Sequence, residues 1–300
     1  MEKVDRTPAK IVVSTILLLK PGIIVSVAFT GFAGMVVGYR GLPPLNLAVL
    51  GIISLLLSAG GSAVLNNVLD QQMDLLMDRL SKRVEALKVL GERTAVAFSV
   101  IIILISLFIS AVYLNYVATI LILCAILSYT LLYTLYLKRS SPFGTILGGI
   151  PGALPVLIGY SVVKPNIGID GLILFIFMIL WQPPHFWALA QKYKDDYKKA
   201  GVPVMPVAMG TKYTNMLILL YSISLLPLSL TFWFMGYCSQ YYAIIAIVLG
   251  IYFEYVIVLS VIRNRGYGRV FGASILYMLA IMASLVVDIA LNPVIRVVTS

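Results

Sequence analysis

"LNNVLDQQMDLLMDRLSKR" (residues 65–83) closes an apolar run that begins at residue 45 and carries no charged side chain before Asp70. About twenty such residues cross the hydrocarbon of a bilayer as a helix. Beyond it, Asp70, Asp74 and Asp78 recur every fourth position, with Asn66 one step earlier. On a helix of 3.6 residues per turn that series lies along one face, its neighbours ~5–6 Å apart. The stretch therefore reads as a membrane span that ends in stacked like charges.

The composition agrees. The 300 residues are 61% hydrophobic and 11% charged, with a mean hydropathy of +1.00. Soluble domains carry about 25% charged residues, so the expectation is an all-α membrane protein. Apolar runs recur to the C-terminus, which a cleaved signal peptide does not explain. Ten residues ahead of Ile11 are too few for a transit peptide, so a prokaryotic-type protein is expected. Cys124 and Cys238 each sit in an apolar run and imply neither a disulfide framework nor a thiolate metal site.

Nine runs have spanning length: 21–39, 45–65, 94–113, 116–137, 144–163, 169–190, 214–235, 241–262 and 271–291. "KPG" at 20–22 reads as an entry, with Lys20 at the interface and Pro21 in the first turn, where its missing N–H is harmless. Residues 11–19 then form an interfacial lead-in. The expected organisation is an N-terminal segment 1–20, a membrane domain 21–291 and a short tail 292–300.

Nine spans with the N-terminus inside place 19 of the 22 Lys and Arg residues on one side. Only Arg40, Lys164 and Arg296 fall on the other. This partition obeys the positive-inside rule and explains the net charge of +10 without nucleic acid. An inner (cytoplasmic) membrane location follows. The two long connections, 66–93 and 191–213, both face the cytoplasm and carry Asp70, Asp74, Asp78, Asp195 and Asp196. They lie four spans apart, as in a duplicated four-helix unit.

Aspartate oxygens suit Mg²⁺, which takes one or two carboxylates and completes its shell with water and phosphate oxygens. Carboxylates on one face repel unless a cation joins them. Lys and Arg in the same loops are phosphate-binding groups. The combination points to a diphosphate substrate with an apolar tail. The bland alternatives are a solvated helix end at 65–83 and a charged surface turn at "QKYKDDYKKAG".

Residues 66–79, running from Asn66-Asn67 through Asp70 and Asp74 to Asp78-Arg79, resemble the first aspartate motif of the UbiA-type intramembrane prenyltransferases. "KPGIIVSVAFTGFAG" (20–34), "YTLYLKRSSPFGTILGGIPGALPVLIGY" (133–160) and "WQPPHFWALAQKYKDDYKKAGVPVMPV" (181–207) resemble the haem O synthase branch of that family. The resemblance implies a nine-helix bundle around a central cavity open to the cytoplasm. It implies Mg²⁺ as cofactor, and farnesyl diphosphate and haem B (protohaem IX) as substrates within the lipid bilayer. The product, haem O, would supply haem A synthesis or terminal-oxidase assembly.

Residue by residue, the resemblance implies Asn66, Asp70, Asp74, Asp195 and Asp196 for the metal, with Asp70, Asp74 and Asp196 catalytic. Asn66, Arg79, Lys82, Arg83, Tyr133, Lys138 and Arg139 would hold the diphosphate. His185, the only histidine, would contact haem; a hydrogen-bonded structural role at the Pro183–Pro184 kink is the alternative. Phe186, Trp187 and Tyr160 are candidates to shield an allyl cation. The chain departs from the family pattern at Gln72, often an acid, and in a longer stretch after Arg83. Other readings are prenylation of a quinone precursor such as 4-hydroxybenzoate on the same scaffold, and a transporter. A transporter predicts ionisable groups deep in several spans, whereas here only Glu254 lies deep.

Overall fold

The computed structural model describes residues 6–292. All nine expected runs form long helices: α1 (Pro21–Tyr39), α2 (Leu45–Leu69), α3 (Glu92–Tyr113), α4 (Tyr116–Ser140), α5 (Gly144–Val163), α6 (Ile169–Lys192), α7 (Gly210–Phe234), α8 (Gln240–Arg263) and α9 (Tyr267–Leu291). Each is long and apolar enough to cross a membrane, and no strand occurs among the described residues. The tail beyond Asn292, with Arg296, and the first five residues, with Lys3, lie outside the described residues.

Neighbours in sequence are mostly neighbours in space. Helices α2 to α5 pack in succession, α6 to α9 repeat the pattern, and α9 returns to α6. The four-span offset between the acidic loops therefore matches two four-helix units, with one loop after the first helix of each. Helix α1 sits between the units, against α5, α2 and α9. Its contact with α5 is made at backbone distance. A Cβ on Gly159 would lie 1.8 Å from the Gly31 carbonyl oxygen, and one on Gly34 would lie 2.1 Å from that of Val156. In membranes, where lipid is as apolar as leucine, such small-residue seams drive helix association.

Residues 11–19 belong to a short helix, Pro8–Leu19, that packs on the helix Ser81–Leu90 through a cluster of Leu18, Val64, Ala86, Leu87 and Ala95. Its other face exposes Val12, Val13 and Ile16. At 12 residues it spans ~18 Å, too short to cross, so it fits the interfacial lead-in.

The row of aspartates is not one helix face. Helix α2 runs past the expected end at 65 to Leu69, and Asp70 caps it. A single turn, Gln71–Asp74, keeps Asp74 above Asp70 through the Asp74 N–H to Asp70 carbonyl bond of 2.8 Å. Met77 is extended (φ −113°, ψ 107°), which breaks the repeat. Asp78 consequently leaves the face; its side chain is 90% exposed and pairs with Lys199 at 3.7 Å. The second connection is also shorter than expected, because α6 continues to Lys192 and α7 starts at Gly210.

Candidate active site at the acidic-loop end

The two acidic loops lie at the same end of the bundle and touch. Met77 and Leu80 of the first pack with Tyr197, Val202 and Val204 of the second in one buried apolar cluster. Arg79 is laid over the rings of Tyr193 (4.8 Å) and Tyr197 (5.0 Å), with Nε 3.8 Å from Asp196 Oδ2. That Nε is buried and has no hydrogen-bond partner.

Beneath this contact Asp70, only 1% exposed, accepts from Lys138 Nζ at 2.6 Å and from Asn66 Nδ2 at 2.8 Å. Arg139 reaches Asp70 Oδ1 at 3.4 Å and the Leu69 carbonyl at 2.8 Å. Residues Ser128–Leu137 wind more widely than an α-helix, with i to i+5 bonding. Such segments recur at functional sites. Here the wider turn brings Thr134 to Asn66 Nδ2 at 3.0 Å and leads straight into Lys138 and Arg139.

Asp74 is 6% exposed, yet no hydrogen bond or ion pair reaches its carboxylate among the described residues. Burial raises its carboxyl above the ordinary aspartate range; Lys138 pulls it down, Asp70 adds to the rise, and Lys20 and Arg83 again oppose it. Lys20, expected at the interface, is instead buried in a left-handed backbone conformation (φ 57°). Its Nζ donates to Asn66 Oδ1 at 2.6 Å. Burial, helped by Arg83 and Lys138, lowers its ammonium to about 7.

The structure thus gathers Asn66, Asp70, Asp74, Arg79, Arg83, Lys138, Arg139 and Asp196 at one end. Tyr133 joins them through a narrow crevice that it lines with Lys138, Thr145, Phe186 and Tyr197. Lys82 and Asp195 are exposed, with no hydrogen bond or ion pair to this cluster among the described residues. Lys20 and Thr134 were missed by the motif. Lys20 had a signal, being the one charge between residues 11 and 39; Thr134 had none.

The donor set fits Mg²⁺. Among the described residues no three acid, His or Cys side chains converge as a finished cage. A finished cage is not what Mg²⁺ needs, because it draws much of its shell from water and substrate phosphate. A little-exposed carboxylate at Asp74 that accepts no hydrogen bond from the described residues is the kind of group that such an ion satisfies.

His185 lies deeper in α6, about 10 Å from its Lys192 end. Its Nδ1 is 2.7 Å from Ser274 Oγ of α9, and its ring is stacked between Trp181 and Phe271. Trp187 is fully buried, edge-on to Tyr221 in the α6–α7 seam. Tyr160 is at the opposite end of the bundle, fully buried and donating to Asp170 at 2.7 Å, so it does not face the site. Glu254 is half-buried, with Oε1 unpartnered, and Asp288 accepts from the Ser239 N–H at 2.8 Å where α8 begins.

A profile of the UbiA prenyltransferase family matches residues 27–279. The protoheme IX farnesyltransferase of Geotalea uraniireducens is 44% identical over 86% of this chain and all of its own length. That of Aquifex aeolicus is 38% identical over 91% of this chain and 94% of its own. Among solved structures, digeranylgeranylglyceryl phosphate synthase superposes with a TM-score of 0.76 at 19% identity, covering 93% of this chain and 98% of that one. A UbiA homologue from Archaeoglobus fulgidus bound to GPP and Mg²⁺ superposes with a TM-score of 0.64 at 17% identity, covering 91% and 99%. The resemblance read from the aspartate motifs is thereby met along most of the chain, and the protein belongs to the UbiA prenyltransferase family.

Proposed function

We propose that the chain transfers the farnesyl group of farnesyl diphosphate to a vinyl carbon of haem B, with addition of water, giving haem O and diphosphate. The names of the relatives support these substrates, and the Mg²⁺ held by the A. fulgidus homologue supports the metal. The observation that supports the reading is the docking of Arg79 on Tyr193, Tyr197 and Asp196, which joins the two acidic loops at one end of the bundle.

Cleavage of the allylic C1–O bond leaves extra negative charge on the diphosphate. Asp70, Asp74 and Asp196 would hold Mg²⁺, which would supply Lewis-acid stabilisation of that charge. Lys138, Arg139, Arg79 and Arg83 provide positive charge that is already in place before the reaction. Asp70 positions two of these cations besides being a candidate ligand. Phe186 and Tyr133, which line the crevice, keep water from the allyl cation and offer it aromatic faces. The vinyl π electrons then form the new C–C bond to farnesyl C1. Positive charge passes to the vinyl carbon beside the porphyrin, where water adds and gives up a proton.

The basic residues crowd the acidic-loop end, while Arg40 and Lys164 lie at the other. The positive-inside rule then supports an inner-membrane protein with its N-terminus and its active site on the cytoplasmic side. Haem O made there serves terminal oxidases, directly or after conversion to haem A. The test is to incubate purified protein with farnesyl diphosphate, Mg²⁺ and haem B and to look for the mass of haem O. A parallel incubation replaces haem B with 4-hydroxybenzoate. Haem O in the first and no product in the second is the expected result. Prenylated benzoate alone would overturn the acceptor and leave the scaffold reading standing.

A further inference from the structure

Three aromatic rings stack in a pile where α6 meets α9: Trp181, His185 and Phe271, with centroids 4.5 Å and 4.4 Å apart. Both faces of the imidazole are covered, so only its edge is available for chemistry. One edge atom is accounted for, since Nδ1 lies 2.7 Å from Ser274 Oγ. A serine hydroxyl has one proton, and that of Ser274 is committed to the Phe271 carbonyl at 2.7 Å. With the hydroxyl proton directed to that carbonyl, the oxygen accepts from His185 and Nδ1 carries the ring proton. Ser274 is itself held in place, because its carbonyl accepts from Trp181 Nε1 at 2.8 Å and it is fully buried. Trp181 and His185, one turn apart on α6, thus dock on the same residue of α9. Nε2 has no protein partner among the described residues.

We propose that Ser274 is a positioning residue that holds His185 in the Nδ1–H form, so that Nε2 presents its lone pair to the iron of the haem substrate. Haem-ligating imidazoles need that free nitrogen, and the bond made by the other nitrogen sets which one it is. The inference rests on haem B being the acceptor.

The single histidine makes the test direct, because protein grown with ¹⁵N-histidine contributes one imidazole to the nitrogen NMR spectrum. Without haem, the wild type is expected to show a protonated Nδ1 and an unprotonated Nε2. Ser274→Ala should give a mixture of tautomers, and Ser274→Thr, which keeps the hydroxyl, should restore the wild-type pattern. Ferric haem B is then titrated into the same samples and its absorption spectrum followed. The wild type should give a nitrogen-ligated spectrum, His185→Ala should lose it, and Ser274→Ala should weaken binding about tenfold.

A wild type protonated at Nε2, or a tautomer unmoved by Ser274→Ala, overturns the proposal. A His185→Ala protein that binds ferric haem with the wild-type spectrum overturns the ligand assignment. Failure of every sample to bind haem, with no haem O formed, is failure of the acceptor reading. The haem-free tautomer signals decide the role of Ser274 in either case.

Discussion

Lys20 Nζ donates to Asn66 Oδ1 at 2.6 Å, joining the start of α1 to the end of α2 across 46 residues of sequence. The bond turns the Asn66 amide so that Nδ2 faces Asp70 and Thr134. An asparagine has a single side-chain oxygen that can ligate a metal or accept a hydrogen bond, and here Lys20 donates to it. Replacing Lys20 with Met leaves that oxygen buried and unpaired, at a cost of about 1–3 kcal/mol. The expected outcome is a fall in kcat/KM for farnesyl diphosphate of about tenfold or more, with partial recovery in Lys20→Arg. Steady-state kinetics on protein that remains monodisperse in detergent checks it; wild-type kcat/KM in Lys20→Met would remove Lys20 from the site.

Asp70 and Asp74 are adjacent in the motif but differ in what their loss should do. Asp70 holds Lys138 and Arg139, so Asp70→Ala strands one largely buried cation and one partly exposed cation. Breaking a buried pair costs about 3–5 kcal/mol, less here because Arg139 is 43% exposed. Asp74 has no such partner and sits under a desolvation penalty. Both Ala variants should lose turnover. Only Asp70→Ala should also lower the thermal midpoint, by several degrees in a fluorescence melt.

Arg79 ties the loops together. Arg79→Ala removes the cation from Tyr193 and Tyr197 and the ion pair with Asp196, so the segment 193–204 should loosen. Faster limited proteolysis within that segment, together with a raised KM for farnesyl diphosphate, is the expected pair of results. Arg79→Lys keeps the charge but not the flat guanidinium, and should recover less than half of the lost protection.

Sidedness is open to labelling. In a variant lacking Cys124 and Cys238, a cysteine at Asp195 should react with a membrane-impermeant maleimide only after spheroplasts are lysed. One at Lys164 should react in intact spheroplasts. The reverse pattern would invert the topology.

Much of this was legible in the chain. The spans were readable because nine long apolar runs are separated by charge or by Pro and Gly everywhere but at Leu114–Asn115, and a bilayer enforces length. Their ends were less so. Helix α2 overshoots to Leu69 because Asn66 is buried by its bonds to Lys20, Asp70 and Thr134, partners distant in sequence or one turn on. A period of four predicted Asp78 beside Asp74, and local backbone at Met77 overrode it. The wide turns at 128–137 carry no marker in "SYTLLYTLYL", so Thr134 was invisible until the fold brought it to Asn66. Tyr160 entered as a candidate from its motif alone. Position along α5 excludes it, since ~24 Å of helix separates it from Gly144 beside Lys138.

Both acidic loops are proposed to share one ion cluster and one diphosphate. The most direct measurement is anomalous scattering from crystals grown with Mn²⁺ and farnesyl thiolodiphosphate, an unreactive analogue. Manganese is expected within coordination distance of carboxylate oxygens of Asp74 and of Asp196, with thiolodiphosphate oxygens completing its shell. Manganese held by residues of only one loop, or a thiolodiphosphate bound away from both, would contradict it.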